Sequence, residues 1–163
     1  MKTLSSSLPR KGERGSAAIE FLAVVPILLL FLALSLFFAR VFWYYSVAGK
    51  AAHDAARFLS STTQVEMKTQ GSSDGGDASV AILAKSIASA ELAEIKPVLD
   101  YWTIGVYCDG DEVCGGTVPQ TVRVKVRMTV RDGLFDIFSD QFYDEDAGGL
   151  PLIADVTMRY VGN

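Results

Sequence analysis

A single carboxylate stands at the edge of an otherwise apolar stretch, in Arg14-Gly15-Ser16-Ala17-Ala18-Ile19-Glu20-Phe21. A charge within a bilayer costs on the order of 2.5–3.5 kcal/mol at the centre of a helix and less near its edge, so such a group is usually kept for a partner or a function. The spacing suggests the partner. If the chain is cut between Gly15 and Ser16, the new amino terminus lies four positions before Glu20, one helical turn away, and can neutralise it within a chain or between chains. Given such a cut between Gly15 and Ser16, the candidate chemistry is charge pairing at Glu20, with Phe21 beside it.

Other reactive residues make a thin case for catalysis. His53 is the single histidine, and it falls on a charged helical face where solvation accounts for it. Cys108 and Cys114 enclose Asp-Gly-Asp-Glu-Val; an even pair of cysteines in a domain outside the cytoplasm is most simply a disulfide stapling a loop. Two cysteines and one distant histidine leave a tetrahedral zinc site incomplete. Asp109, Asp111 and Glu112 supply oxygen ligands that suit calcium, but without the full spacing of a calcium loop. No catalytic residue, metal or cofactor is assigned, and an enzyme is not expected because convergent acid, base and nucleophile groups are missing from the pattern.

The elements that must position these residues follow from hydropathy. Phe21 to Ala39 is nineteen residues without a charge, and a helix rising about 1.5 Å per residue covers roughly the 30 Å hydrocarbon core over that length. Pro26 removes one backbone hydrogen bond, which membrane helices tolerate. Arg40 closes the run, and Val41-Phe42-Trp43-Tyr44-Tyr45 is an aromatic cluster of the kind found at the headgroup level. The first fifteen residues hold four of the chain's 15 Lys/Arg and one of its 19 Asp/Glu, leaving 11 against 18 from Ser16 onward. A basic stretch before an apolar run is retained on the cytoplasmic side, which puts the acidic remainder outside. That acidic balance argues against nucleic-acid binding. A cleaved signal peptide ending near Ser46-Val47-Ala48 is the bland alternative, but its apolar core should be only about 7 to 15 residues long.

Gly15 followed by Glu20-Phe21 resembles the processing site of type IV prepilins. More narrowly, the segment from Arg14 to Ser60 resembles the N-terminal signature of TadE-like proteins, pseudopilins of the tight-adherence (Tad) pilus system: Gly15, Glu20-Phe21, Pro26, Arg40 and Ala52-His53-Asp54-Ala55-Ala56-Arg57 carry the likeness. Phe37-Phe38-Ala39-Arg40 departs from the family's frequent Glu-Phe-Gly-Arg. The resemblance implies a basic leader removed by a prepilin peptidase, and a single-pass inner-membrane protein with its N-terminus cytoplasmic and its C-terminal domain periplasmic or extracellular. The implied partners are other pilins or pseudopilins, the Tad assembly platform and membrane lipid, in a minor or priming role. An uncleaved anchored binding or sensor domain is the alternative, and it leaves Gly15, Glu20 and Phe21 unexplained.

The expected fold is α+β, a long N-terminal transmembrane and pilin-type helix followed by a small domain with one further helix packed on an antiparallel sheet. The divisions are a leader over 1–15, the helix over 16–60, a linker over 61–77 that lacks a helical or strand period, and an extracytoplasmic domain over 78–163. Ala48, Ala51, Ala52, Ala55, Ala56 and Leu59 form one small-residue stripe, which either docks on the protein's own domain or serves subunit packing. Residues 78–95 have helical spacing through Val80, Leu83, Ile87 and Ala90. Strands are expected at Tyr101–Tyr107, Thr121–Arg131 and Ala154–Val161, the second because Val122, Val124, Val126, Met128 and Val130 alternate with Arg123, Lys125, Arg127, Thr129 and Arg131. That basic row is either a docking surface for an acidic partner or the wet face of a sheet, balanced by Asp144-Glu145-Asp146.

Overall fold

The computed structural model describes residues 14–69, 76–130 and 149–162. Helix α1 (Arg14–Ser61) is followed by a short α2 (Gln64–Lys68), α3 (Ser79–Glu91), two 3₁₀ turns (Leu92–Glu94 and Lys96–Val98) and strands β1 (Leu99–Cys108), β2 (Thr121–Val130) and β3 (Leu150–Arg159). The strands form one antiparallel sheet in the order β1-β2-β3. The fold is α+β, as the hydrophobic periods require. The chain divides into two compact units, Met1–Arg40 and Val41–Asn163.

In the first unit, α1 carries Pro26 in its interior. Proline lacks the N–H that would bond the carbonyl of Leu22. Ser35 satisfies its own hydroxyl by donating to the Phe31 carbonyl at 2.8 Å, the back-bond to i−4 that lets serine sit in an apolar helix.

In the second unit, α1 changes character. Ala48, Ala51, Ala52, Ala55, Ala56 and Leu59 are all at 0% exposure and belong to the core, with Val106 of β1 and Val122, Val124 and Val126 of β2. The stripe thus docks on the protein's own domain. Because alanine brings no bulk, backbones can approach closely there, and the volume is filled by Leu59, Met67, Leu92, Ile95 and Met128. Tyr44, expected at the headgroup level, is instead a core residue at 3% exposure, while Phe42, Trp43 and Tyr45 remain exposed.

The C-terminal end of α1 leaves carbonyls that its own hydrogen bonds cannot reach. Ser60, Ser61 and Thr62 cover the carbonyls of Arg57, Phe58 and Leu59 with their hydroxyls. The tail beyond β3 supplies the rest: the Val161 N–H donates to the Ser60 carbonyl at 2.9 Å and the Tyr160 hydroxyl to the Thr62 carbonyl at 2.7 Å. Gly162 allows this approach, since a Cβ there would stand 2.1 Å from the Thr62 carbonyl oxygen.

Within the expected linker, Thr63 and Glu66 form a capping box and start α2, whose Met67 is fully buried. In α3 the buried face is Val80, Ala81, Ala84 and Ala88, whereas Leu83 and Ala90, expected on it, are exposed. The helix is turned because its alanines pack inward, as those of α1 do. On β2 the alternation holds: Val122, Val124, Val126, Met128 and Val130 are buried.

Two substitutions test these contacts in the full chain, read by thermal unfolding in detergent micelles. Ala55→Leu forces extra volume into the core and should destabilise by about 1–3 kcal/mol. Tyr160→Phe leaves the buried Thr62 carbonyl without its hydroxyl donor and should cost about 1–2 kcal/mol.

Candidate functional site

Gly15 and Ser16 lie in the first turn of α1, and Glu20 and Phe21 follow on the same continuous helix. Ser16 and Glu20 are four positions apart, so they share one helical face at adjacent turns. Glu20 is exposed and Phe21 is 71% exposed. From Ile19 to Phe38 most of the large apolar side chains also face outward, whereas Phe37 is buried at 7% exposure. Among the described residues one helix, from Ala18 to Ser61, is long and apolar enough to cross a membrane, and only 6% of its most apolar window is buried. A soluble core helix would hide that surface; one this greasy and uncovered fits a membrane anchor. The leader up to Glu13 lies outside the described residues.

Cys108 and Cys114 are joined in a disulfide with Cα atoms 5.2 Å apart. Between them, Cys108 and Asp111 exchange backbone hydrogen bonds at 3.0 Å around Asp109 (φ 52°) and Gly110 (φ 98°). Two consecutive positive φ values make this a type I′ turn, for which Asp-Gly is a preferred pair. Asp109 is not turned toward a common site with Asp111 and Glu112. Its carboxylate accepts the backbone N–H of Gln120 and of Thr121 and the Thr121 hydroxyl. The backbone N–H groups of Gln120 and then Thr121 hold that carboxyl below the usual carboxylate range. Asp111 and Glu112 are exposed. On the far side of the disulfide, the Cys114 N–H donates to Asp77 at 3.1 Å and its carbonyl accepts the Ala78 N–H at 2.5 Å, while Asp77 also pairs with Lys85. The loop is thus closed by the disulfide and tied to the start of α3. Among the described residues no group of three His, Cys, Asp or Glu is placed to hold a metal ion. His53 lies 3.6 Å from Asp54 and is 56% exposed.

The outer face of the sheet carries the basic row. Lys125 stands opposite Asp155 and next to Arg123 and Arg127 on the same side of β2. Arg123 donates to Asp155 through both Nε and Nη2, and Lys125 reaches the same carboxylate at 3.8 Å. A bidentate guanidinium fixes the carboxylate in one orientation. Arg123 holds the Asp155 carboxyl below its usual range, more than offsetting the desolvation of its partly covered position. The acids expected to balance the row, Asp144-Glu145-Asp146, lie outside the described residues; the partner in place is Asp155. Beside this pair is a shallow depression lined by Thr103, Gly105, Tyr107, Lys125 and Arg127, with the Lys125 ammonium 5.7 Å from the Tyr107 ring centre.

Compared with known proteins, residues 15–57 match the family model described as TadE-like protein. That interval contains Gly15, Glu20-Phe21, Pro26, Arg40 and the Ala52 to Arg57 motif. No curated protein and no solved structure matches the chain.

Asp109 and Asp155 both stabilise the fold in the deprotonated form. Their contribution is present above about pH 4 and is lost as pH falls through their lowered folded values. Unfolding midpoints measured from pH 7 to pH 2 should therefore drop at the acid end, and Asp155→Asn should lower the midpoint at neutral pH while flattening that drop. A variant with the parent's acid profile would show that the Arg123 pair does not couple to folding.

Proposed function

Residues 15–57 of the chain being TadE-like, we propose that this protein is a pseudopilin of a Tad-type pilus system, processed between Gly15 and Ser16 by a prepilin peptidase. It acts as a minor or priming subunit. The basic leader holds the N-terminus in the cytoplasm, α1 spans the inner membrane up to Arg40, and the sheet domain lies outside. Other pilus components and the assembly platform are its partners.

The observation that carries this reading is the Ser16–Glu20 spacing, one turn along a continuous helix at the edge of the apolar run, where Glu20 is exposed. Once the leader is removed, the Ser16 amino group is a cation within reach of a carboxylate one turn away, in its own chain or a neighbour's. A carboxylate kept in an apolar bundle is disfavoured without a cation. Pairing Glu20 with the amino terminus of an adjacent subunit therefore selects one axial stagger. The second half of α1 supports the same division of labour: its alanine stripe is consumed by the protein's own core. Helix packing between subunits is left to the segment before Arg40, where Phe21, Leu28, Phe31 and Leu36 face outward.

Mass spectrometry of the N-terminus, in cells with and without the peptidase, tests the processing step. A chain beginning at Ser16 only when the peptidase is present is the expected result. Met1 retained in both would return the protein to an uncleaved anchor with a binding or sensor domain, and a start near Gly49 would make the apolar helix a signal peptide. Glu20→Gln should insert and be cleaved normally yet lose pilus assembly; normal assembly by that variant would remove Glu20 from the mechanism.

A further inference from the structure

We propose that the outer sheet face, at the depression around Lys125 and Arg127, receives the disulfide-closed loop of a second copy of this chain through Asp111 and Glu112. The inference rests on the assembly reading above and names a contact surface for it.

Among the described residues, the receiving face holds more cationic charge than its neighbours neutralise. Arg123 takes up Asp155 with both ends of its guanidinium, which leaves Lys125 with a contact to that carboxylate at 3.8 Å. Arg127 is exposed and makes no ion pair among the described residues. Lys125 is only 19% exposed and lies against the Tyr107 ring, so its ammonium is partly desolvated and directed. Two cations two residues apart on one strand, with Tyr107 and Thr103 lining the same depression, form a receptor for carboxylates. Ile153, cross-strand from Arg127 and 52% exposed, adds an apolar shoulder.

The chain also presents the complementary surface. From Ser16 onward acids outnumber bases by 18 to 11, and Asp111 and Glu112 stand exposed on a loop whose shape is fixed. The Cys108–Cys114 disulfide, the Asp109-Gly110 turn, and the hydrogen bonds of Cys114 to Asp77 and Ala78 hold that loop. Asp109 is spent on the backbone of Gln120 and Thr121, whereas Asp111 and Glu112 make no ion pair among the described residues. A preformed loop loses little freedom on binding, and Val113 at 50% exposure brings an apolar group to meet Ile153. Loop and depression are different patches, so the contact is heterologous. It repeats from copy to copy instead of closing on itself.

Sedimentation velocity of the full-length chain in detergent micelles, at low and high NaCl, tests this. The expected result is salt-sensitive self-association that Lys125→Glu/Arg127→Glu and Asp111→Lys/Glu112→Lys each weaken by about tenfold, and that a mixture of the two variants recovers. All four side chains are at least partly exposed, and near-UV circular dichroism checks that both variants fold. A chain that stays monomeric at low salt overturns the contact, as does unchanged association of Lys125→Glu/Arg127→Glu or a mixture that fails to recover. Cleavage at Gly15, read in the same cells, separates the two readings: correct processing without association removes this contact alone, and association without processing removes the pseudopilin assignment instead.

Discussion

One continuous helix has to satisfy two solvents. Before Arg40, α1 exposes leucines, isoleucines and phenylalanines, which water does not favour and hydrocarbon does. Beyond Val41, the same helix buries alanines against a protein core. A helix with uniform composition could not do both: leucines at 48, 52 and 55 would overfill the core, and alanines at 28–32 would weaken the hold on a bilayer. The change of side-chain size near Arg40 is therefore the constraint on which the rest depends. The sheet, α3 and the tail are arranged around a helix whose inward face is almost flat.

That flat face makes the ends of the domain important. Alanine burial contributes little per residue compared with leucine, so a fold resting on it gains from fixed points elsewhere. Two are visible. The Tyr160 hydroxyl and the Val161 N–H close the end of α1, joining residues 98 positions apart in the case of Tyr160 and Thr62. The disulfide, with Asp77 and Lys85, joins the end of β1 to the start of α3. Both act on backbone groups at the ends of elements, where unpaired carbonyls and N–H groups would otherwise be buried at a cost.

Much of this architecture was legible in the sequence. The alternation from Val122 to Val130 named both the strand and its buried face, because side chains two apart on a strand point the same way. The α1 stripe gave its face but left its partner open, since small residues serve equally in a core and between subunits. The hydrophobic period of α3 points Leu83 inward because leucine outweighs alanine in such a pattern; in the packed domain the alanines face the core instead. Sequence groups Tyr44 with its aromatic neighbours, and only its position on the helix separates it from Trp43 and Tyr45. The Asp155 partner of Arg123 lay 32 residues away and needed the strand register, which alternation does not supply. Two local signals were present and unread: the Thr63-to-Glu66 capping box and the Asp109-Gly110 turn. As for Gly15, Ser16, Glu20 and Phe21, the role proposed for them rests on spacing along one helix, which a linear motif can carry.

The two units of the chain offer different kinds of contact, and the difference has consequences for assembly. Apolar helix faces supply affinity but little discrimination, since any leucine-rich neighbour will pack against them. In the assembly proposed above, Glu20 distinguishes one stagger from another within that surface, because misplacing a charge is penalised far more than misplacing a methyl group. On the sheet domain the balance is reversed. Arg123, Lys125 and Arg127 are at least partly hydrated and add modest affinity, but they repel a wrong partner and orient a right one. A chain with such a helix and such a face would associate strongly only where both are satisfied together, since linking two weak contacts makes the second effectively intramolecular.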